Sequence, residues 1–478
     1  PELLDPSAFV SPMATVLVLS VSGDELLGPT YFEAPPRTSE LRHQLQVSLQ
    51  PGPSQEIVLH RDGTILSDSK KLEGGTAENP LVLSMVMTPK TFQAVFWGAA
   101  PLGKEVSNQL GQGIQEVAST KLAFAALTTS GSVITWGSSD DGGNSEGVAG
   151  LDEGVLQVVG NGRAFVALKT GGKLVVWGNA EAGGKPPPEV CDQLRSGVVS
   201  VARTQEAFAA LKENGEVVTW GNPAYGGDSS SAAGSLENIV SVVGTWGERD
   251  AAFAALTASG GVVTWGHADT GDMGSSAEKL HSGVKSICAS GCSFAALKET
   301  GEVVCWGDPE RGGEPVVFFS ENDEGSTYSV QGELAAGVVS IVASDDVFVA
   351  LKEGGKVVAW GMGADGAHLK EEVAKELESD VVSVSPNKAA FAALKPGGRV
   401  VTWGVGVYGG DSSSVAEQLQ SGVVKIPFFS LPIITFAAVK EEGSLVVWGG
   451  FDDSLTEYAP HDELQSGVVD VVGCCGSY

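Results

Sequence analysis

The sequence predicts a mainly β protein, a long series of near-identical β units preceded by a small α+β module. Three observations carry this expectation. A Phe, Gly and Trp-Gly register returns at a nearly fixed spacing after residue 90, 64 glycines punctuate a chain of 478 residues that is 42% hydrophobic, and charged residues make up only 18%. Frequent glycine with high apolar content and few polar runs describes many short strands joined by tight turns, and argues against disorder. A chain of this length also exceeds what one hydrophobic core organises, so separate domains or repeats are required.

Residues 1–12, PELLDPSAFVSP, carry neither a starting Met nor a basic-then-apolar signal pattern, and read as a disordered leader or remnant ahead of Met13. Residues 13–90 form the first predicted domain. MATVLVLS is a β-branched first strand, Gly23 marks a hairpin, Leu41, Leu45 and Leu49 recur at helical spacing, and QEIVLHRDGTIL and NPLVLSMVM supply further strands. Strand, strand, helix, strand, strand is the order of a β-grasp. In that order and in the QEIVLHRDGTIL segment, the module resembles ubiquitin-like domains fused to larger proteins. The resemblance implies an adaptor that presents the strand of Ile57, Val58, Leu59 and His60 to ubiquitin-handling partners. Gly74 and Gly75 lie inside the module and precede no cleavage point, so conjugation is not expected.

Residues 91–478 hold the repeats. Phe124, Phe165, Phe208, Phe253, Phe294, Phe348, Phe391 and Phe436 each open a segment like FAALK, spaced 41, 43, 45, 41, 54, 43 and 45 residues apart. A glycine follows each phenylalanine by seven residues, and a Trp-Gly pair begins twelve residues after it, from Trp136-Gly137 to Trp448-Gly449. FAALK is therefore one strand, the glycine takes a turn of positive φ, and EVVTWG is the returning strand. SGVVSV and its relatives supply a preceding strand, and CDQLRSG, AEKLHSG and AEQLQSG read as helical turns between units. Because these strands are apolar on successive positions, both faces of each sheet must be covered, and each unit must sit between two neighbours.

The stretch GVVSVARTQEAFAALKENGEVVTWGNPAYGG resembles a repeat of the regulator of chromosome condensation family, and the pattern is met eight times. The resemblance implies a β-propeller, and the repeats counted in this sequence make about eight to nine blades of about 43 residues, a ninth being split between TFQAVFWG and the C-terminal SGVVDVV. The exit loops lack the family's usual Asn and Gln-Leu-Gly signature, and its frequent histidine is missing before the second strand. Nucleotide exchange on a small GTPase is the activity the family implies, and related repeats in large ubiquitin ligases imply substrate recognition.

The formal charge of −30 repels phosphate backbones, so direct nucleic-acid binding is not expected. The acidity serves either solubility or a basic protein partner, a small GTPase among them. No run of about 18 apolar residues is present, so no membrane helix is expected and the location is expected to be cytoplasmic or nuclear. Cys191, Cys288, Cys292, Cys305, Cys474 and Cys475 show no disulfide framework, and Cys288 and Cys305 fall on core positions. The six histidines form no metal-ligand spacing, and no nucleophile elbow or phosphate loop occurs, so neither a cofactor nor catalysis is expected.

Features shared by all units hold the fold, so a partner site should lie among the exceptions. Trp246 with Arg249 sits in an enlarged loop and has the composition of a binding hot spot. The 54-residue interval contains an insertion with Phe318, Phe319 and Tyr328, and Phe428 and Phe429 interrupt KIPFFSLPI. Tyr225 with Asp228 and Tyr408 with Asp411 recur in twin YGGDSSS loops, as solvated turns or as too small a set of oxygen ligands for a cation. The sequence thus reads as a non-catalytic interaction scaffold, with ligase substrate recognition and GTPase exchange as narrower readings.

Overall fold

The computed structural model describes residues 14–20, 25–32, 41, 55–61, 64–65, 81–89, 104–110, 113–247, 250–318, 327–427, 435–441 and 443–450. Two compact units are present, Pro1–Phe92 and Gln93–Tyr478.

In the first unit five strands, β1 (Ala14–Ser20), β2 (Glu25–Phe32), β3 (Gln55–Arg61), β4 (Thr64–Ile65) and β5 (Leu81–Pro89), form one sheet in the order β2-β1-β5-β3-β4. The β1–β5 pair is parallel and the others are antiparallel. A parallel pair at the centre requires a crossover between its members. Leu41, between β2 and β3, is helical and fully buried, as are Leu59 and Leu83. Val82 is 48% exposed beside the buried Leu83, so the two faces of β5 differ as alternation demands. Leu59 was expected on a partner-facing strand. It belongs to the core, and the side chains of Ile57, Val58 and His60 lie outside the description.

In the second unit the described residues contain eight successive small sheets, at 114–137, 155–178, 198–221, 239–266, 284–307, 338–362, 383–404 and 423–449. The protein is mainly β. In the third repeat, the entry strand Val198–Arg203, central strand Ala207–Lys212 and exit strand Val217–Gly221 pair antiparallel in that order. A register shift between Val198 and Ser200 leaves Val199 out of the ladder and 48% exposed. Gly215 closes the hairpin at φ 80°, and a Cβ there would lie 2.9 Å from Asn238 Cα of the next unit.

The central strand explains the alanines. Ala164, Val166 and Leu168 on one face of the second repeat are buried with Phe208, Ala210 and Trp220 of the third. The third repeats this against the fourth, where Ala207, Ala209 and Leu211 meet Phe253, Ala255 and Trp265. Small residues let neighbouring sheets approach, while each Phe and Trp, paired across strands, stack with centroids 5.1–5.4 Å apart and fill the interface. The lysine that ends FAALK is structural too. Lys298 Nζ donates to Lys279 O at 2.6 Å and Lys395 Nζ to Glu376 O at 2.6 Å, each capping a carbonyl of the connecting turn.

Within the insertion of the sixth repeat the described residues form two strands, Val316–Phe318 and Thr327–Ser329, which widen that sheet to five. Phe318 pairs in parallel with Met362, and Val317 is fully buried. The β-branched pair Val316-Val317 accounts for the strand.

Candidate interaction face

One end of the second unit carries the turns between entry and central strands together with the segments that leave each exit strand, because Phe and Trp pair across strands there. Backbone bonds tie these turns in series: Gly162 N–H donates to Gln205 O at 2.9 Å, Gly247 to Gly291 O at 2.9 Å, Gly291 to Asp345 O at 2.8 Å and Asp345 to Lys388 O at 3.2 Å.

The exit segments add a second tie, and its rule is legible in pairs of glycines. Gly142, Gly183, Gly226, Gly312 and Gly409 each accept, through the carbonyl, the indole N–H of the next repeat's tryptophan at 3.0–3.1 Å. Each is followed by a second glycine. At Gly227 a Cβ would lie 2.5 Å from Gly221 O, so a side chain there would push the segment off the strand end. The fourth and sixth repeats have Gly271-Asp272 and Gly366-Ala367 instead. Among the described residues the tryptophans that follow these two, Trp306 and Trp403, are the ones whose Nε1 is buried without a partner. Gly271 lies in the helical turn Ala268–Gly271, and its carbonyl accepts from Thr264 Oγ1 at 2.7 Å. A buried donor left unsatisfied costs roughly 1–3 kcal/mol, so each exception is a real loss of stability.

Around the first exception, the junction of the fourth and fifth repeats, the surface opens into a cleft of about 540 Å³ lined by Asp250, Asp269, Asp272, Asp308, Thr270 and Cys292 among others. His267 Nε2 stands 3.2 Å from Asp250 Oδ1, while His267 Nδ1 is buried without a partner. Asp250 has φ 60°, a left-handed conformation that Asp tolerates better than most residues.

Trp246 lies on the same face. The enlarged turn of the fourth repeat carries it half-buried over the fifth, packed against the cores on both sides, to donate from Nε1 to Asp345 Oδ1 of the sixth at 2.8 Å. Burial pushes the Asp345 carboxyl up to about 6, against the pull of Trp246. Burial also raises Asp346 and Asp365. Arg311, held charged chiefly by Asp346, reaches Asp346 Oδ1 at 3.4 Å and Cys292 Sγ at 3.5 Å.

The other expected site residues divide. Tyr225 and Tyr408 are half-buried against the cores of their repeats. Their carbonyls accept from Thr204 Oγ1 and Asn387 Nδ2. Asp228 and Asp411 accept the backbone N–H of Ser230 and Ser413 at 2.9 Å, which holds both carboxyls below their ordinary range. These twin loops are turns of the repeat. Phe318 is half-buried in its strand, and Tyr328 is 43% exposed with its ring edge-on to His368. Arg249, Phe319, Phe428 and Phe429 lie outside the described residues. Sequence reasoning missed Asp345, His267, Arg311 and the cleft carboxylates, although Gly-Asp in place of Gly-Gly was a readable signal.

No family model matches the chain, and no curated protein matches it. Among solved structures it aligns with human WBSCR16 at 19% identity over 52% of this chain and 76% of that one, with a TM-score of 0.35. It also aligns with yeast RCC1 (Prp20), solved with Kap60, at 16% identity over 54% and 71%, TM-score 0.34. A third is the ectodomain of the receptor kinase CR4 from Physcomitrella patens, at 16% identity over 66% and 75%, TM-score 0.34. Among the described residues no helix is long and apolar enough to cross a membrane.

Proposed function

We propose that this chain is a non-catalytic protein-interaction scaffold, a propeller of regulator of chromosome condensation type with a ubiquitin-like head. The observation that carries the reading is where the repeat departs from its own rule. The enlarged turn with Trp246, the unlatched Trp306 with its acidic cleft, and the added hairpin all fall on three consecutive repeats, the fourth to the sixth. Regular repeats build a platform, and irregularities that cost stability are retained where something binds. The cleft's carboxylates favour a basic partner surface. The β2-β1-β5-β3-β4 order with its central parallel pair supports the ubiquitin-like reading of the head, which would link the platform to ubiquitin-handling machinery.

Affinity capture with the full chain, repeated with Trp246→Ala and Tyr328→Ala, tests the scaffold. A specific protein retained by the parent and lost from at least one variant is the expected result, and identical capture by all three would refute the site. Deleting 314–330 is the poorer variant, because Val317 and Val330 are core residues. A nucleotide-release assay on small GTPases separates the exchange-factor reading: acceleration by the chain would establish it in place of a plain scaffold.

A further inference from the structure

We propose that the end of the second unit opposite the Trp246 face docks a partner segment in which aliphatic side chains flank a single carboxylate. This is a second surface, separate from the face described above. Of the ten large hydrophobics exposed among the described residues, six hold one position of the repeat: Leu156, Val199, Val240, Val339, Val382 and Val424. Each is 45–59% exposed, and the residue before each is only 3–5% exposed. In the second, third, fourth, sixth and eighth repeats the register slips at this point and leaves the exposed residue outside the ladder. The first and fifth repeats place Gln115 and Lys285 at the same slip, so the fold accepts a polar side chain there. Folding therefore does not demand the six aliphatic residues, and their exposure calls for another cause.

The six form a row. Val198 pairs with Lys212, at the other end of the central strand from Phe208 and Trp220, which puts Val199 on the end away from Trp246. The buried residue before each donates its N–H to the hairpin turn of the preceding repeat at 2.9–3.2 Å, as Val198 does to Gly172 O and Ile239 to Gly215 O. The exposed residues thus succeed one another from repeat to repeat, with Lys285 in the middle: three aliphatic residues, one lysine, three aliphatic residues. Lys285 is exposed, and among the described residues no ion pair engages it, although acidic residues outnumber basic ones by 59 to 29. An ammonium without a partner between two apolar stretches is complementary to a carboxylate between aliphatic side chains. Six half-exposed aliphatic residues amount to a patch on the order of 400 Å². That is about half of what each member of a stable protein pair buries, so the patch suits a segment better than a second copy of this chain. The net charge of −30 opposes an acidic run at a distance, which limits the segment to one carboxylate.

The probe is the peptide acetyl-GVSVSESVSVG-amide, titrated calorimetrically into the full chain at about 0.15 M ionic strength so that distant charges are screened. Saturable binding with Kd below about 1 mM is expected. Counterparts with Glu replaced by Lys, or with every Val replaced by Ser, should bind at least about fivefold more weakly. Val240→Ser combined with Val339→Ser should weaken binding at least about tenfold and leave the melting temperature unchanged, because both side chains lie outside the ladder and half in water. Lys285→Glu should reverse the preference and favour the Lys peptide, a swap that misfolding does not produce. Trp246→Ala should leave peptide binding intact, so failure at this row and failure of the Trp246 face are separate results. The proposal is overturned by absence of saturable binding, by equal binding to the double serine variant, or by a Lys285→Glu chain with unchanged preference. A concentration-dependent dimer in sedimentation, abolished by the same double variant, would give the row to a second copy and also overturn it.

Discussion

Trp246 Nε1 donates to Asp345 Oδ1 at 2.8 Å across 99 residues of sequence, so one indole ties the fourth repeat to the sixth. Trp246→Phe keeps most of the ring's packing and removes the donor, leaving a buried carboxylate short of a bond. A loss of about 1–3 kcal/mol is expected from denaturant unfolding. Asp345→Asn retains an acceptor oxygen and removes the charge, so it should cost less than Trp246→Phe. The reverse order would show that the bond contributes little.

Acidification should stabilise this protein over part of its range. Burial raises Asp345 to about 6 and Glu116 to about 7, above their ordinary values of 3.8 and 4.5. A carboxyl whose folded pKa is raised binds its proton more tightly when folded. Its stabilising contribution is present below the unfolded pKa and disappears as pH rises through the folded one. The urea midpoint should therefore rise between pH 8 and pH 5. Relief of the −30 net charge acts in the same direction, so the control is Asp345→Asn with Glu116→Gln, which should flatten the slope.

The repeat was legible because its determinants are local. A phenylalanine, a glycine seven residues later and a tryptophan at twelve specify one hairpin, and the glycines take positive φ, as Gly215 does at 80°. The latch was not legible, because Trp265 bonds a carbonyl 39 residues away and only the three-dimensional stacking of sheets reveals the pairing. The lysine of FAALK hid its role for the same reason, Lys298 reaching back 19 residues. The strand at Val316–Phe318 is not marked by the repeat register, yet two β-branched residues beside an open sheet edge are enough for it. For Trp246, composition set the residue apart from the repeat, but its hydrogen-bond partner Asp345 lies too far along the chain to read.

The Gly-Gly rule can be tested in both directions. Gly227→Ala places a Cβ 2.5 Å from Gly221 O and should displace Gly226, whose carbonyl accepts from Trp265, for a loss of about 2–4 kcal/mol. Ala367→Gly should let Gly366 accept from Trp403, whose N–H is now buried without a partner. A net gain of about 1 kcal/mol is expected, the recovered bond exceeding the entropy cost of the added glycine. The Trp403 indole resonance should move downfield; an unmoved resonance with unchanged stability would sink the rule.

Cysteine labelling reads the same packing by chemistry. Cys191 is exposed, whereas Cys305 is buried and Cys288 half-buried. Burial pushes the thiols of Cys288 and Cys305 up to about 12, so at pH 8 almost none of either is thiolate, the form that reacts. Iodoacetamide followed by peptide mapping should modify the exposed Cys191 in the native protein and spare Cys288 and Cys305 until denaturant opens their sheets. Cys292 should fall between, since burial raises its thiol but Arg311, 3.5 Å from its sulfur, opposes the rise. If Cys305 reacted as fast as Cys191 in the native protein, the interface that buries it with Phe348 and Trp360 would not be closed in solution.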